Sequence, residues 1–465
     1  MKRKWFSLLA KLRFRKALRS RLAQASGWLR PFTTREEPML NEERIMLLVL
    51  IIVVGFSIAV VYHYVMGYYF GKPWPANTFL HIPEARFYDF KLVVRQSAAL
   101  DPFGEDIGGF TGSPFGQFVG YLFSLIRPAF LQLLIFFGSF FVAFVLMVKY
   151  HLYGLKAKLN SRQLLAIFAI AFLTYPVLFG VDRANFDLLV LPLLFLFALT
   201  YERQKYAAST VFLALAIALK PYTAIFVIIY FLDKRFRDGL LAVFNAVFLT
   251  AFSLSLFKDG LFLETKKYSA ALSHTVDFLS GGEQQVFTSD LYSLLTVIMR
   301  YVGNVLNTEI NLPAHPWIRV SYAVIAGLLS VYLGIRLWQK PKPLWKTLAV
   351  LTILIVLLPI NSHDYRLIYL FVPMLMYLAA DERARNDLLI VIMWGLLLVP
   401  KNYYHLQHPP QNIGMIINPL LLIGLLICIV PDAFSVKGIS SSLRFVWMKA
   451  QSIGPARKLE SPRSG

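Results

Sequence analysis

Charged residues are scarce in this chain of 465 residues, and acidic ones are scarcer than basic ones. Only 16% of the residues are charged, whereas 57% are hydrophobic and 15% aromatic. Soluble domains carry nearer a quarter charged residues, so most of this chain must meet lipid rather than water. The 26 acids stand against 47 Lys and Arg residues, for a net charge of +21.

Cysteine is almost absent as well. Cys428 is the single cysteine and lies in an apolar run, so it has no partner for an intrachain disulfide or a metal cluster. We interpret it as a small packing residue. No metal site and no cofactor are predicted.

Several catalytic motifs are also missing. The sequence has no Walker-type Gly-Lys-Ser/Thr run, no HExxH helix and no GxSxG elbow. The sequence therefore contains no recognisable motif for nucleotide hydrolysis. A donor carried in the lipid phase fits better than a bound soluble nucleotide.

The basic residues concentrate at the two ends of the chain. Residues 2–21 are dense in Lys and Arg, and 432–465 form a basic tail. Such cationic segments are typical of the cytoplasmic side of a membrane and attract anionic lipids rather than nucleic acid, which is not an expected partner. Residues 2–29 fit a basic helix on the inner surface. No cleavable signal peptide is predicted, and the first span is expected to stay as an anchor.

Apolar runs predict an all-α polytopic membrane protein, because a span needs about twenty apolar residues. Ten runs qualify as spans, and they are 46–66, 129–149, 161–181, 184–201, 238–257, 316–336, 344–361, 365–380, 386–401 and 412–431.

One further apolar stretch, 206–232, is interrupted at Lys220-Pro221 and has basic residues at both ends. We interpret it as two half-helices that enter the membrane and return to the same side. Broken helices at membrane depth are tolerated where they line a cavity.

The charge pattern predicts one topology and three regions. Residues 1–44 and 432–465 are expected in the cytoplasm, and 45–431 form the transmembrane domain. Two segments, 67–128 and 258–315, are expected outside and are too long to be mere connectors. A short apolar stretch at 115–126 fits a helix lying in the interface.

Asp89 is the first candidate for chemistry, because it follows the first span among aromatic neighbours. A carboxylate there can serve as general base for a sugar hydroxyl. An ordinary loop acid or a helix N-cap is the alternative.

Asp101, Glu105 and Asp106 form a second acidic cluster. Carboxylates of this kind bind divalent cations, but Asp101-Pro and the nearby glycines fit turn chemistry as well. Both interpretations stay open.

Arg183 and Asn185 lie where one predicted span passes into the next, and Lys220 lies at the break. Ionisable groups at such depth tend to face a cavity. Arg183 and Lys220 are candidates to hold a phosphate. Pairing of Arg183 with Asp182 or Asp187, and snorkelling of Lys220, are the alternatives.

His363, Asp364 and Arg366 cluster between two predicted spans. Arg366 is a candidate for a lipid phosphate, and His363 for a hydrogen bond to a sugar or a proton relay. Pairing of Asp364 with Arg366, or capping of the next helix, is the structural alternative.

The order of several motifs resembles glycosyltransferase family 87, a group of membrane mannosyltransferases. Similar elements are Tyr88-Asp89 soon after the first span, Ser113-Pro-Phe-Gly-Gln-Phe, Arg183-Ala-Asn-Phe-Asp-Leu-Leu, Ala214-Leu-Ala-Ile-Ala-Leu-Lys-Pro-Tyr222 and Thr288-Ser-Asp-Leu. The resemblance covers about 45–400. One departure is Ser362-His363-Asp364-Tyr365, where the family commonly has Ser-Trp-Asp-His.

The resemblance implies a GT-C helical bundle with an external active site, a polyprenyl-phosphate sugar donor, inversion at the anomeric carbon and no obligatory metal. By match of motif, Asp89 would be the base. Arg183, Asn185, Lys220, His363, Asp364 and Arg366 would bind substrate.

The sequence thus favours an integral-membrane hexosyltransferase, with mannose as the expected sugar and a lipid or glycan as acceptor. A bacterial inner membrane is the expected location, with both termini in the cytoplasm and membrane lipids as partners. A transporter or lipid flippase is one alternative. A ligase or polymerase of lipid-linked glycans is another.

Overall fold

A computed structural model describes residues 41–104, 112–154, 172–280, 287–306, 316–340, 342–360, 362–380, 386–406 and 411–434. The predicted surface helix at 2–29, most of the span at 161–181, and the acids Glu105 and Asp106 lie outside these ranges.

Within the described ranges the chain is almost entirely helical. The α-helices are α1 (Asn41–Tyr64), α2 (Tyr88–Ser97), α3 (Pro114–Ser124), α4 (Ala129–Gly154), α5 (Tyr175–Arg183), α6 (Asp187–Glu202), α7 (Tyr206–Leu219), α8 (Val227–Leu232), α9 (Phe236–Leu256), α10 (Gly260–Ser280), α11 (Leu291–Leu306), α12 (Pro316–Gln339), α13 (Leu344–Leu357), α14 (Phe371–Ala379), α15 (Asp387–Leu397) and α16 (Gly414–Ile429). A single π-turn, Val65–Tyr69, extends α1.

Shorter elements connect these helices. The 3₁₀ helices are Pro83–Ala85, Pro221–Phe226, Asp364–Leu370 and Pro431–Ala433. Strands β1 (Tyr404–Leu406) and β2 (Gln411–Asn412) form a small antiparallel pair.

Four of the described helices are long and apolar enough to cross a membrane, and they are Glu42–Tyr69, Ala129–Lys149, Phe236–Leu256 and Trp317–Gln339. Six shorter apolar helices accompany them, so a count of ten spans stays a prediction. The external segment 258–315 was expected as a loop, but its described parts fold into α10 and α11.

The core is built around α13, whose residues from Thr347 to Leu357 are all buried. A helix that is apolar on every side is stable only at the centre of a bundle or in lipid. By contrast, α9 and α12 leave wide apolar faces exposed, among them Phe244, Val247, Val320 and Leu328. Such faces are what a lipid-facing helix presents.

The predicted break in 206–232 is present. Helix α7 ends at Leu219, Lys220 is extended with φ −142° and ψ 98°, and a 3₁₀ turn follows. The two ends of the stretch lie together, since the Arg235 guanidinium stands 3.3 Å from the centroid of the Tyr206 ring. The Ser209 and Tyr230 hydroxyls also share a hydrogen bond. The stretch is therefore a hairpin with Lys220 at its tip.

A buried ion pair joins the start of α1 to the start of α15. Arg44 Nη2 lies 2.6 Å from Asp387 Oδ2, and Asp387 Oδ1 accepts a hydrogen bond of 2.7 Å from Tyr377. The Arg44 guanidinium also stacks 4.5 Å above the Tyr377 ring. Both charged side chains are almost fully buried, so each depends on the other for compensation.

Arg44→Ala should lower the unfolding free energy by about 3 to 5 kcal/mol, because it leaves Asp387 buried without its counter-ion. The double variant Arg44→Met with Asp387→Leu should recover most of this loss. Thermal unfolding of purified protein in lipid nanodiscs measures both. An Arg44→Ala variant as stable as wild type would show that the ion pair does not contribute this much to the unfolding free energy.

Candidate active site

The turn between α5 and α6 positions three polar side chains at one place. Helix α5 ends at Arg183, and Ala184 takes a left-handed conformation with φ 48°. The Asn185 N–H then donates to the Gly180 carbonyl at 3.1 Å, which closes the helix end. The Asn185 Oδ1 accepts the Asp187 N–H at 2.9 Å and starts α6. Arg183, Asn185 and Asp187 therefore project from one rigid turn.

Asp89 lies in the first turn of α2, 8% exposed, against this same turn. One of its carboxylate oxygens accepts a charge-assisted hydrogen bond from Arg183, and the other accepts one of 2.6 Å from Asn185 Nδ2. The Arg183 guanidinium also stands 5.4 Å from the Tyr88 ring. Three of the predicted site residues thus meet. Arg183 pairs with Asp89, and not with Asp182 or Asp187 as the alternative interpretation expected.

Close packing of α2 against α3 fixes the position of Asp89. A Cβ added at Gly120 would lie 2.6 Å from Val93 Cγ1 and 2.9 Å from Ser97 Oγ. The Ser97 hydroxyl donates to Gln117 at 2.6 Å. Ser113 caps α3 and also donates to the Leu219 carbonyl at 2.8 Å, so α3 is bonded to the hairpin tip.

The side chain of Asp187 contacts the polar groups of the hairpin tip. Its Oδ1 accepts hydrogen bonds from the hydroxyls of Tyr222 and Tyr369, and Lys220 Nζ lies 3.6 Å away. Its Oδ2 is buried and has no hydrogen-bond partner among the described residues. Lys220 therefore pairs with an acid instead of snorkelling.

Arg366 completes the group. It lies on the 3₁₀ helix Asp364–Leu370 three residues before Tyr369, so both side chains share one face. Its guanidinium stacks 4.5 Å above the Tyr222 ring. Two of its nitrogens, Nε and Nη1, are buried without a hydrogen-bond partner in the described part of the chain.

Asp364 has a different environment from its neighbours. It is 1% exposed, and it accepts hydrogen bonds from Tyr175 (3.1 Å), Ser289 and Asn418 (3.3 Å). These contacts anchor the start of the 3₁₀ helix that carries Arg366, so Asp364 is bonded within the protein rather than to Arg366. The Asp364 side chain does not cap this 3₁₀ helix, so both structural alternatives for Asp364 were wrong.

His363 lies nearer the cluster, and burial together with the charge of Arg366 lowers its pKa to about 4. A second histidine, His81, lies near Asp89 and Arg183. Burial and the Arg183 charge lower its pKa to about 4 as well. Both imidazoles are therefore neutral at neutral pH.

Sequence reasoning missed some of these groups. His81 and Tyr369 were not singled out, and Tyr222 was quoted only as part of a motif. Tyr222 follows the Lys-Pro break and Tyr369 follows Arg366 by one helical turn, which is the available signal. His81 has no such neighbour, and only the fold brings it to the site.

The second acidic cluster holds a lysine. Asp101, Asp259 and Glu264 bring oxygens within 4.8 Å of one another, an arrangement that suits a cation. The ammonium of Lys267 contacts all three, at 2.8 Å for Asp101 and 3.2 Å for Glu264. An internal cation thus lies among the three acids and compensates part of their charge.

The model of glycosyltransferase family 87 matches residues 110–359 of this chain. This match covers more than half of the chain. The chain belongs to glycosyltransferase family 87. It is therefore an enzyme, a membrane glycosyltransferase that uses a sugar donor and an acceptor. A search of curated protein sequences gave no match.

The family match includes Arg183, Asn185 and Lys220 but ends before His363 and Arg366, and it begins after Asp89. Asp89 is linked to the matched region by contact, since its two hydrogen-bond donors lie inside the match. The expectation of a resemblance over 45–400 was wider than the match.

Gly120→Ala should reduce transferase activity about tenfold or more, because a methyl group there pushes α2 and Asp89 away from Arg183. Gly138→Ala is the matched control, since nothing lies within 4 Å of a Cβ at Gly138 in α4. Initial rates at equal amounts of folded protein measure the effect. Equal activity of the two variants would show that this packing does not set the position of Asp89.

Acid should destabilise the protein through His81 and His363, two partly buried histidines with a lowered pKa. The imidazole pKa is 6.5 in the unfolded chain and about 4 in the folded one, so the unfolded state binds more protons in this interval. The contribution to stability is full above pH 6.5 and is lost as the pH falls toward 4.

The unfolding temperature of a variant with His81→Phe and His363→Asn should therefore decrease less between pH 7 and pH 4.5 than the unfolding temperature of wild type does. His274→Asn, at an exposed position on α10, should keep the wild-type slope. Thermal unfolding measured across this pH range tests this prediction. Identical slopes for all three proteins would contradict the conclusion that the imidazoles of His81 and His363 are neutral in the folded protein.

Proposed function

We propose that this glycosyltransferase moves a hexose, with mannose expected, from a polyprenyl-phosphate donor to a hydroxyl group of a lipid or glycan acceptor. The reaction takes place on the external face of the membrane. Asp89 is the general base. The observation that carries the proposal is that two buried nitrogens of Arg366 have no hydrogen-bond partner among the described residues.

The charges around these nitrogens favour an anion. Arg183 and Lys220 pair with Asp89 and Asp187, and Asp182 pairs with Arg86. Arg366 is then the excess cation of this group, because the histidines are neutral. A phosphodiester carries one negative charge and balances the excess. The Nε–H and Nη1–H bonds of Arg366 point in different directions, so a phosphate oxygen can accept a hydrogen bond from either one, and the charge of the guanidinium strengthens that bond.

The chemistry follows from this placement. The acceptor hydroxyl gives its proton to Asp89 while its oxygen bonds to the anomeric carbon of the sugar. The bond between that carbon and the phosphate oxygen breaks, and its electron pair stays on the leaving polyprenyl phosphate. Fixed cations stabilise the charge that develops there, which is usually the largest single contribution. Attack opposite the leaving group inverts the anomeric configuration.

Asn185 and Arg183 hold the base in place for this step. Both donate to the carboxylate of Asp89, and Arg183 lies within the cationic group, so it links the base to the phosphate. The hairpin tip with Lys220 and the 3₁₀ helix with Arg366 approach from two other parts of the chain. His363 is positioned for a hydrogen bond to the sugar.

Asp89→Asn should lower transfer by about two to four orders of magnitude, since the amide cannot accept the proton. Membranes from expressing cells, supplied with radiolabelled polyprenyl-phosphate-mannose, measure it at equal protein level. Asp101→Asn is the control, because Asp101 is an external acid paired with Lys267, and it should keep wild-type rates.

Full activity of Asp89→Asn would remove Asp89 from the chemistry. No transfer by wild type would reject this donor. Product size on a gel separates the addition of one sugar from the transfer of whole chains by a ligase or polymerase.

A further inference from the structure

A cleft lies at the end of the helical bundle opposite the candidate active site. Helix α6 runs from Asp187 in the site to Tyr201 at the cleft, which is about 21 Å along the helix axis. The ends of α6, α8 and α12 and the start of α13 contribute to its wall, and it encloses about 490 Å³, part of which is open to solvent. The cleft is therefore separate from the groups around Asp89 and Arg366.

The wall of the cleft combines apolar and polar side chains. Leu232 and Leu337 belong to its apolar part. Four side chains make up its polar part, and they are Tyr201, Asp233, Lys342 and Thr347. A wall of this mixed kind suits a ligand that has both a charged and an apolar portion.

Two opposite charges line the cleft without neutralising each other. Asp233 and Lys342 both lie in the described ranges, yet their carboxylate and ammonium groups are more than 4.0 Å apart. By contrast, the neighbouring Lys340 pairs with Asp432 at 2.9 Å. The cleft therefore offers one negative and one positive group at separate positions.

The carboxylate of Asp233 is held in place but is not saturated. Its Oδ2 accepts a hydrogen bond of 2.6 Å from the Tyr201 hydroxyl, which also lies 3.3 Å from the Ile229 carbonyl. Its Oδ1 accepts no hydrogen bond from the described residues. A primary ammonium has three N–H donors for such an oxygen, whereas a trimethylammonium has none.

Lys342 supplies the complementary charge. It is half-buried and forms no ion pair with any residue that the structure describes. The lysine ammonium binds phosphate oxygens as a point charge. The hydroxyl of Thr347, in the first turn of α13, adds a donor to the same cleft.

A lipid-facing helix borders the cleft. Helix α12 exposes the apolar side chains of Leu328 and Val331, and Trp338, next to Leu337 of the cleft, is 47% exposed. A tryptophan at the end of a lipid-facing helix is typical of the level of the lipid headgroups. At that level the phosphate and amine of a phospholipid lie directly beside its acyl chains.

We propose that this cleft binds the headgroup of a phospholipid with a primary amine, as in phosphatidylethanolamine, with the ammonium at Asp233 and the phosphate at Lys342. A zwitterion compensates both charges, whereas an anionic headgroup compensates Lys342 alone. Because Asp233 directly follows α8, the lipid occupies the base of the hairpin whose tip carries Lys220. The inference does not depend on the identity of the sugar donor or acceptor.

Native mass spectrometry of the full-length protein tests this site. The protein is released from detergent in the presence of equal amounts of dioleoyl phosphatidylethanolamine, phosphatidylcholine and phosphatidylglycerol. Wild type should retain phosphatidylethanolamine about tenfold more than either other lipid, because one hydrogen bond to a charged group contributes about this factor. Equal retention of phosphatidylethanolamine and phosphatidylcholine, or stronger retention of phosphatidylglycerol, would overturn the inference.

Two variants separate the roles of the two charges. Asp233→Asn should remove the preference for phosphatidylethanolamine over phosphatidylcholine and leave the retention of phosphatidylcholine unchanged. Lys342→Gln should lower the retention of both lipids equally, because the phosphate is common to them. The matched controls are Asp238→Asn, at an acid that pairs with Arg235 at 3.6 Å, and Lys340→Gln, and both should behave as wild type. Losses of the same size in the controls, or an equal loss of both lipids in Asp233→Asn, would contradict the assignment.

The chain-free headgroup glycerophosphoethanolamine distinguishes a lipid from a soluble ligand. It lacks the acyl chains that contact apolar surface, so it should displace phosphatidylethanolamine only at concentrations more than about a hundredfold higher. Displacement at equal concentration would identify a soluble ligand and overturn the assignment to a lipid. Thermal unfolding of each variant in nanodiscs checks that the compared proteins are folded.

Discussion

The pairing of Asp89 with Arg183 and Asn185 is the interaction on which the candidate site depends. A carboxylate that is 8% exposed is stable only when hydrogen bonds and opposite charge replace its hydration. Its two donors come from the turn between α5 and α6, so the first segment after α1 must pack against that turn. The close approach at Gly120, the cap at Ser113 and the bonds to Asp182 all follow from this requirement.

Charge balance then explains the rest of the cluster. Asp187 compensates Lys220 at the hairpin tip, while Arg366 is held by stacking on Tyr222 and not by an acid. The result is a site with one cation in excess and two donors unused. The Lys267 cluster shows the opposite balance, in which one internal ammonium contacts three acids. The family match covers Arg183 and Lys220, so the proposed phosphate-binding group lies mostly within the part of the chain that the family defines.

Several features could be predicted from sequence because their cause is local. Pro221 breaks a helix because it lacks an N–H and its ring clashes with the preceding turn, and Ser113-Pro starts α3 as a cap followed by proline. Six polar or ionisable residues at the ends of apolar runs were predicted as site residues, and they are Asp89, Arg183, Asn185, Lys220, His363 and Arg366. The structure brings all six to one place.

Other features depend on contacts between distant parts of the chain, which no local pattern reveals. His81 reaches the site only through Asp182, and Asp364 turns toward Tyr175 and Ser289 because α5 and the start of α11 pack beside it. The helical state of α10 and α11 was missed because α10 carries several charged residues and α11, at 16 residues, is shorter than a membrane span.

The most direct test is a cryo-EM structure of the protein in nanodiscs with polyprenyl phosphate, the expected product of transfer. The account predicts the phosphate within hydrogen-bonding distance of Arg366 Nε or Nη1, with Lys220 and Arg183 beside it. A phosphate bound elsewhere, with both Arg366 nitrogens still without partners, would contradict it.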